Sequence, residues 1–143
     1  MVEGGRLKTF YLESSAALKL FQREQESAAL VTFISESSSK LRLISSQLTR
    51  LEVVGKLARF AEDPLRASRF FTNIHLLPIS NSILEDAVIS MQFGLRSLDA
   101  IQHATIRSNS ADLDAVICYD NRLKEAIQKL GIEVISPGAS PAG

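Results

Sequence analysis

Short apolar runs alternate with longer segments of helical period along most of this 143-residue chain. A short apolar run is typical of a strand buried in a sheet, whereas apolar residues spaced three and four apart indicate one face of a helix. Strands that alternate with helices form right-handed β-α-β units, in which the strands lie parallel and helices cover both faces of the sheet. The alternation therefore predicts an α/β fold with a central, mainly parallel sheet of four to five strands.

The predicted elements cover most of the chain between its two ends. Strands are predicted at residues 9–12, 75–79, 115–119 and 133–135, with a weaker candidate at 42–44. Helices are predicted at residues 14–21, 26–35, 47–62, 64–72, 81–93, 97–108 and 121–130. The length is common for one domain, so residues 1–143 are predicted to form a single unit with flexible ends at about 1–8 and 138–143.

The composition is that of an ordinary globular protein, and it limits the classes of function. Apolar residues make up 45% and charged residues 22% of the chain, which disfavours intrinsic disorder. The sequence has no apolar run of membrane-spanning length and no secretory leader, so a cytoplasmic protein without a membrane partner is expected. Because 16 Lys and Arg residues balance 16 Asp and Glu residues, any contact with nucleic acid has to be local.

Nucleophilic side chains give little indication of catalysis. Cys118 is the only cysteine and lies in the apolar run at 115–119, so a buried, unreactive thiol is expected. The residues suggest no Ser-His-Asp or Cys-His arrangement. Catalysis by a nucleophilic side chain is therefore not indicated.

Two acids stand directly after predicted strands. Glu13 follows the strand at 9–12, and Asp120 follows the strand at 115–119. Sites in open parallel sheets form beyond the carboxyl ends of the strands, where two neighbouring carboxylates need a cation or a proton to coexist. A structural role remains open for each, because Asp120 is a suitable helix cap and Glu13 suits the first turn of a helix.

Two further acids lie on predicted helices. Asp99 is near the positive end of the helix at 97–108, a position that favours a carboxylate for structural reasons alone. Glu52 falls just outside the apolar arc of the helix at 47–62, so an exposed ion pair between Glu52 and Lys56 is the simpler interpretation. That arc is predicted to comprise Leu48, Leu51, Val54, Leu57, Ala58 and Ala61.

Five blocks of sequence carry a resemblance to a known family. The strongest are residues 95–101, 111–123 and 130–135, and residues 11–20 and 46–53 match as well. In order, spacing and residue type, these blocks resemble the PIN-domain ribonucleases of the VapC toxin type. The resemblance extends over roughly residues 10–137.

The resemblance implies a fold, a site and partners. The fold is a three-layer α/β/α PIN-like domain, and the acidic quartet of the site corresponds to Glu13, Glu52, Asp99 and Asp120. The resemblance implies a Mg²⁺ or Mn²⁺ site, and it places Ser15 beside the first acid as a small polar residue. Glu13, Asp99 and Asp120 are the expected ligands, direct or through water, with Glu52 as a second ligand or a water-orienting base. It also implies cleavage of RNA, a homodimer, and a cognate antitoxin whose C-terminal segment covers the site.

The chain departs from the family pattern at two positions. Glu13 stands where the family usually has Asp, and the extra methylene displaces the carboxylate in a site where Mg²⁺ demands near-octahedral geometry. A catalytically impaired module that acts through dimerisation and antitoxin binding is therefore the alternative to an active enzyme. Gln102 stands where the family often has His, and the neighbouring His103 is expected in the core or at the surface and not as a ligand.

RNA binding requires positive charge near the site. Residues 40–69 contain seven bases against three acids, which allows a basic groove or, alternatively, solvated helix faces. Arg50, Lys56 and Arg59 are the candidate RNA contacts. A phospho-receiver domain is disfavoured, because only one acid follows the first strand and no Lys follows the strand at 133–135.

Overall fold

A five-stranded parallel sheet forms the centre of the protein, for which the computed structural model describes residues 6–60 and 62–140. The strands are β1 (Lys8–Leu12), β2 (Leu41–Ser46), β3 (His75–Leu77), β4 (Ala115–Ile117) and β5 (Val134–Ile135). They are ordered β3-β2-β1-β4-β5, and every neighbouring pair is parallel. The predicted parallel sheet is confirmed, with β1 at its centre.

Helices cover both faces of this sheet. They are α1 (Ser14–Lys19), α2 (Ser27–Ser37), α3 (Gln47–Arg59), α4 (Leu65–Thr72), α5 (Asn81–Ser90), α6 (Ser97–Ser108) and α7 (Asn121–Gln128). Short 3-10 turns follow at Met91–Phe93 and Ser110–Asp112. Buried residues of α1 to α4 pack on one face and those of α5 to α7 on the other, so the three-layer α/β/α arrangement is confirmed.

The alternation of side chains along β1 and β4 divides the core into two parts. Tyr11 and Val116 belong to the cluster under α5 to α7, whereas Leu12 and Ile117 belong to the cluster under α1 to α4. Successive side chains of a strand point to opposite faces, so strands that are apolar throughout serve both clusters. All four of these side chains are fully buried.

β2 is longer than its sequence suggests. The prediction covered only residues 42–44, but the strand extends through Ser45 and Ser46, which are buried despite their hydroxyl groups. Ser45 Oγ donates a 2.6 Å hydrogen bond to the carbonyl of Leu12, and Ser46 Oγ accepts from the backbone N–H of Thr49. Because these bonds satisfy both hydroxyls, two polar residues end a central strand without a large desolvation penalty.

The buried face of α3 differs from the predicted apolar arc. Thr49 and Val53 face the core together with Leu48 and Leu57, whereas Leu51 is 69% exposed. Thr49 replaces an apolar residue on the buried face because its hydroxyl joins a set of buried polar side chains. The predictions for Leu51 and Ala58 are wrong, since both are exposed, and the helix ends at Arg59, before the predicted end at 62.

Residues near both chain ends make contacts with the rest of the domain. Lys8 begins β1, and Arg6 forms an ion pair with Asp114 at 2.9 Å. The carbonyl of Pro137 accepts a 2.7 Å hydrogen bond from the Tyr119 hydroxyl, and Gly138 lies against α2. Residues 1–5 and 141–143 lie outside the described residues, as does position 61. Within the described ranges no helix has the length and apolar character of a membrane span.

Gly138 offers a test of the contact between the C-terminal segment and α2. Gly138 and Gly131 have the same positive φ of 82°, but a Cβ on Gly138 would lie 2.5 Å from the Cβ of Ala29, whereas a Cβ on Gly131 meets nothing within 4 Å. Gly131→Ala should cost about 1–2 kcal/mol for the left-handed conformation alone. Gly138→Ala should cost about 1–3 kcal/mol more, because the new methyl group overlaps α2.

Urea unfolding of the two variants measures this difference. Equal losses of stability in Gly131→Ala and Gly138→Ala would show that the segment does not rest on Ala29 in solution.

Candidate active site

The acids meet at the carboxyl edge of the sheet, where the strand order reverses. The chain runs outward from β1 through β2 to β3, then crosses back to β4 on the other side of β1. A crevice opens at such a switch point, because the helices that follow the two central strands diverge to opposite faces. Glu13 directly follows β1, and Asp120 comes three residues after β4.

One cavity of about 610 Å³ brings the predicted site residues together. All four acids of the predicted quartet line it, although they come from segments far apart in the sequence. Of the predicted site residues, the cavity is lined by Glu13, Ser15, Glu52, Lys56, Arg59, Asp99 and Asp120. Arg50 is exposed on α3 but does not line the cavity.

Three of the acids are also structural parts of helix N-termini. Glu13 caps α1 and Asp120 caps α7, each accepting a 2.9 Å hydrogen bond from a backbone N–H of the first turn. Asp99 lies in the first turn of α6. The positive end of a helix stabilises a nearby carboxylate. The sequence left a structural role at a helix N-terminus and a role in the site as alternatives. In the structure each of the three acids both lies at a helix N-terminus and lines the pocket.

Glu13 is the most deeply buried of the four acids, with only 3% of its surface exposed. Its Oε1 accepts hydrogen bonds from both the backbone N–H and the hydroxyl of Ser15. Ser15 Oγ in turn accepts from the backbone N–H of Tyr119, which links the ends of β1 and β4. Burial raises the pKa of Glu13 to about 7, with a smaller contribution from the charge of Glu52 and against the effect of the Ser15 hydrogen bonds.

The pKa of Asp99 depends on the burial and the charges that surround it in the pocket. Burial raises its pKa, and the charges of Asp120 and Glu52 raise it further. Arg122 and Arg96 act in the opposite direction and so lie close enough to stabilise the charged carboxylate. Sequence patterns gave no signal for these two arginines, since they lie outside the basic segment at 40–69.

Glu52 does not form the predicted exposed pair with Lys56. Its Oε1 instead accepts a 2.6 Å hydrogen bond from Ser14 Oγ and a 3.2 Å hydrogen bond from Gln102 Nε2. The donors belong to other helices, Ser14 to α1 and Gln102 to α6, and in the described part of the chain no ion pair includes Glu52. The interpretation as a solvated surface pair is wrong, because neighbouring elements supply the partners.

His103 and Cys118 lie in the core, as expected. His103 Nδ1 is 2.7 Å from the hydroxyl of Ser90, and burial lowers the pKa of the imidazole. The Cys118 thiol is buried, and both burial and the charge of Glu13 raise its pKa. A thiol that stays protonated is a poor nucleophile. Neither residue lines the acidic cavity.

The donor set of the pocket suits a hard divalent cation. It consists of carboxylate oxygens. Burial and, after it, the charges of neighbouring acids raise the pKa of Asp99, and a cation relieves both effects. Within the described ranges, however, no three His, Cys, Asp or Glu side chains are grouped tightly enough to hold a metal ion on their own. Mg²⁺ usually keeps several waters and binds proteins through one or two carboxylates, so the donors fit an ion held partly through water.

The outer wall of the cavity is basic and apolar. The last turn of α3 contributes Lys56 and Arg59, and Phe60, which directly follows the helix, is 55% exposed. The Arg59 guanidinium stands 5.4 Å from the centre of the Phe60 ring. Sequence reasoning missed Phe60, because it found no basic run interleaved with aromatic residues. An exposed ring beside two cations is a suitable surface for an unpaired nucleobase and its phosphates.

The seven bases of residues 40–69 do not form one groove. Only Lys56 and Arg59 line the acidic cavity. Lys40 and Arg42 lie at the start of β2, near the opposite edge of the sheet, and line other cavities. Arg66 packs against the ring of Phe21. The basic surface at the acidic cavity is therefore smaller than the seven bases of residues 40–69 would allow.

Solved structures share this fold. VapC20 of Mycobacterium tuberculosis, named as a Sarcin-Ricin loop cleaving toxin, has a TM-score of 0.66 at 13% identity and covers 82% of this chain and 94% of its own. A toxin-antitoxin complex from Klebsiella pneumoniae has a TM-score of 0.65 at 19% identity, with 89% and 96% covered. VapBC2 from Rickettsia felis, bound to a DNA fragment from their promoter, has a TM-score of 0.67 at 8% identity, with 90% and 98% covered.

Sequence comparison shows the family. Residues 10–128 match the PIN domain family. The chain is 36% identical over 132 residues to Ribonuclease VapC46 of Mycobacterium tuberculosis (strain ATCC 25618 / H37Rv), which covers 92% of this chain and 99% of the relative. It is 37% identical over 131 residues to Ribonuclease VapC35 of Mycobacterium tuberculosis (strain CDC 1551 / Oshkosh), with 90% and 96% covered. The chain therefore belongs to the PIN-domain family, as a VapC-like member.

Proposed function

We propose that this protein is a metal-dependent endoribonuclease, the toxin of a toxin-antitoxin pair, which cleaves single-stranded or structured RNA in the cytoplasm. The observation that carries the proposal is the single pocket in which four carboxylates from distant segments meet at the sheet's switch point. The names of the relatives, Ribonuclease VapC46 and Ribonuclease VapC35, support the same chemistry.

The carboxylates of Glu13, Asp99 and Asp120 are the residues that would hold Mg²⁺ or Mn²⁺, directly or through water. An ion held there would lower the pKa of an attacking water and neutralise charge on the phosphate. Glu52 then has a separate role. Its Oε1 accepts two hydrogen bonds from the protein, so Oε2 remains available to orient a water and accept its proton.

RNA reaches the acids along the basic and apolar wall. Positive charge for the phosphate backbone near four carboxylates comes from Lys56 and Arg59 on this wall and from Arg96 and Arg122 near Asp99. The exposed face of Phe60 stacks with a base next to the cleaved bond.

The partners follow from the exposed apolar side chains. Leu51 and Leu98 lie exposed at the mouth of the pocket, where an antitoxin segment would cover them together with the acids. Leu84, Val88 and Ile89 are exposed on α5 and offer a surface for a homodimer. Solved toxin-antitoxin assemblies with this fold, such as the complex from Klebsiella pneumoniae, are consistent with such a partner.

A second candidate is a catalytically impaired PIN-fold module that acts through dimerisation and antitoxin binding. The burial of Glu13 favours it, since the carboxylate is almost enclosed and both Ser15 donors bind the same oxygen. A side chain held in this way has less freedom to move toward an ion in the pocket.

Metal binding can be tested without any substrate. Removing one of the repelling charges by Asp99→Asn should raise the melting temperature of the metal-free protein at low salt. Adding Mn²⁺ at ten times its Kd should stabilise the wild type by about 1.4 kcal/mol and the variant by less. Asp112→Asn, an exposed acid outside the pocket, is the matched control and should respond to Mn²⁺ as the wild type does. A wild-type melting curve that Mn²⁺ leaves unchanged would remove the metal from the proposal.

Cleavage of RNA tests the activity itself. The purified wild type should cleave single-stranded and structured RNA with Mg²⁺ or Mn²⁺ and stop when EDTA is added. Asp99→Asn should lower kcat on the order of a hundredfold or more, because it removes charge where the reaction needs it. Asp112→Asn should cleave at the wild-type rate. Equal cleavage by the wild type and Asp99→Asn would identify a contaminating nuclease.

The same assay separates the two candidate functions through Glu13→Asp. If Glu13 limits the site, the shorter acid should raise turnover or tighten Mn²⁺ binding. A wild type that is inactive and an active Glu13→Asp variant would identify the impaired module. Unchanged turnover and an unchanged Mn²⁺ titration would show that the extra methylene of Glu13 is not limiting.

The basic wall predicts an effect on RNA binding with little effect on chemistry. Lys56→Gln and Arg59→Gln should each raise KM and leave kcat nearly constant, and each should reduce the slope of log Kd against log salt by about 0.7. Arg50→Gln is the matched control, because Arg50 is exposed on the same helix outside the pocket. Salt-dependent binding of a single-stranded oligonucleotide measures these slopes. An equal effect of all three substitutions would mean that RNA does not follow this wall.

A further inference from the structure

A buried network of polar side chains lies beneath the acidic pocket, and Gln102 is at its centre. Gln102 is on α6 and only 1% exposed, in the helical layer opposite α3. Its Oε1 accepts a 2.5 Å hydrogen bond from the Tyr11 hydroxyl. Its Nε2 lies 2.8 Å from Ser14 Oγ, 2.9 Å from Thr49 Oγ1 and 3.2 Å from Glu52 Oε1. The carboxamide thus connects both layers across the ends of β1 and β2.

The chemistry of the partners fixes the orientation of this carboxamide. Glu52 Oε1 is an acceptor, so the amide nitrogen and not the amide oxygen has to face it. Ser14 donates its proton to Glu52 at 2.6 Å and therefore needs a donor of its own, which Gln102 supplies. The Tyr11 hydroxyl donates to the remaining amide oxygen. Rotating the amide by 180° would place an acceptor against each of these acceptors.

The network ends on a carboxylate that faces the pocket, and this distinguishes it from ordinary buried polar contacts. The neighbouring residue His103 pairs with Ser90 inside the core, and neither residue lines the acidic cavity. Gln102 instead delivers its hydrogen bond to Glu52, which is partly exposed and lines the cavity. A purely structural role would not require the last acceptor to be an acid at the site.

We propose that Gln102 is a positioning residue for Glu52, holding Oε1 both directly and through Ser14 so that Oε2 stays fixed at the pocket. The catalytic part of this inference rests on the proposed nuclease function, whereas the contact itself does not. Glu has three rotatable side-chain bonds, and without these donors its carboxylate is free to turn toward Lys56 one helical turn away. Displacement of a reacting group by about 1 Å can lower a rate by a factor of about a hundred.

Kinetics of Gln102 variants test the positioning role. Gln102→Met keeps the approximate volume but removes the amide, and it should lower kcat about tenfold while KM changes less than about twofold. Gln102→His should recover most of kcat, because a neutral imidazole has one donor for Ser14 or Glu52 and one acceptor for Tyr11. Ser90→Ala, which removes a buried hydrogen bond on the same face of the sheet, should lower stability with kcat unchanged.

A double-mutant cycle shows whether Gln102 acts through Glu52. Gln102→Met should lower kcat about tenfold in the wild-type background but less than about twofold when Glu52 is already Ala. Equal losses of kcat in the two backgrounds would overturn the proposal, as would a Gln102→Met variant with the kcat of the wild type. A wild type without metal-dependent cleavage would instead contradict the proposed function.

NMR provides a measurement that needs neither metal nor RNA and does not require Gln102→Met to fold. The side-chain amide signals of Gln102, identified by their absence in Gln102→His, should shift in Glu52→Ala and stay in place in Asp112→Asn. Signals that do not respond to Glu52→Ala would show that the contact is absent in solution, and the proposal would fail even if the enzyme were active.

Discussion

The crowding of four carboxylates in one partly buried pocket is the constraint around which the rest of the site is built. Burial is the largest cause of the raised pKa values of Asp99 and Glu13. The charges of Asp120 and Glu52 raise the pKa of Asp99 further, and the charge of Glu52 adds a smaller contribution at Glu13. Charges of one sign are kept together only where fixed dipoles or hydrogen-bond donors stabilise them. Here the first turns of α1, α6 and α7 supply backbone N–H groups or the positive ends of helices, and Ser14 and Gln102 supply donors to Glu52.

The parallel sheet makes this arrangement possible. α1 begins two residues after β1, α3 directly after β2 and α7 four residues after β4, so that three helix N-termini lie along one edge of the sheet. Short connections leave little freedom in where each first turn is placed, and the strand order puts β1 beside both β2 and β4. The topology of the sheet therefore determines where the acids lie, and their carboxylates determine what the pocket can bind.

Local sequence was sufficient to predict most of the elements and to place Glu13 and Asp120 at the edge, whereas Asp99 and Glu52 entered the predicted site only through the family resemblance. Glu13 and Asp120 each have a local signal, since they follow a strand. The environment of Glu52 has no such signal, because its donor Gln102 is 50 residues away on the other layer. The arc of α3 failed for a related reason: Thr49 is buried by its contact with the same amide, and Leu51 is exposed beside the pocket. Hydrophobic periodicity identifies the apolar face of a helix. It gives no signal for a buried polar side chain whose hydrogen-bond partner lies on another element.

Capping and chemistry therefore are not competing explanations at this edge. An acid that caps a helix is held in one orientation by a backbone N–H, and this removes part of the entropy that a ligand or base would otherwise lose in the reaction. Asp120 and Glu13 are oriented in this way by the first turns of α7 and α1. Glu52 lies in the second turn of α3, beyond the reach of its own helix N-terminus, and no such N–H is available to it. A donor from another element has to perform that task, and the carboxamide of Gln102, anchored by Tyr11 in the core, is placed to do so.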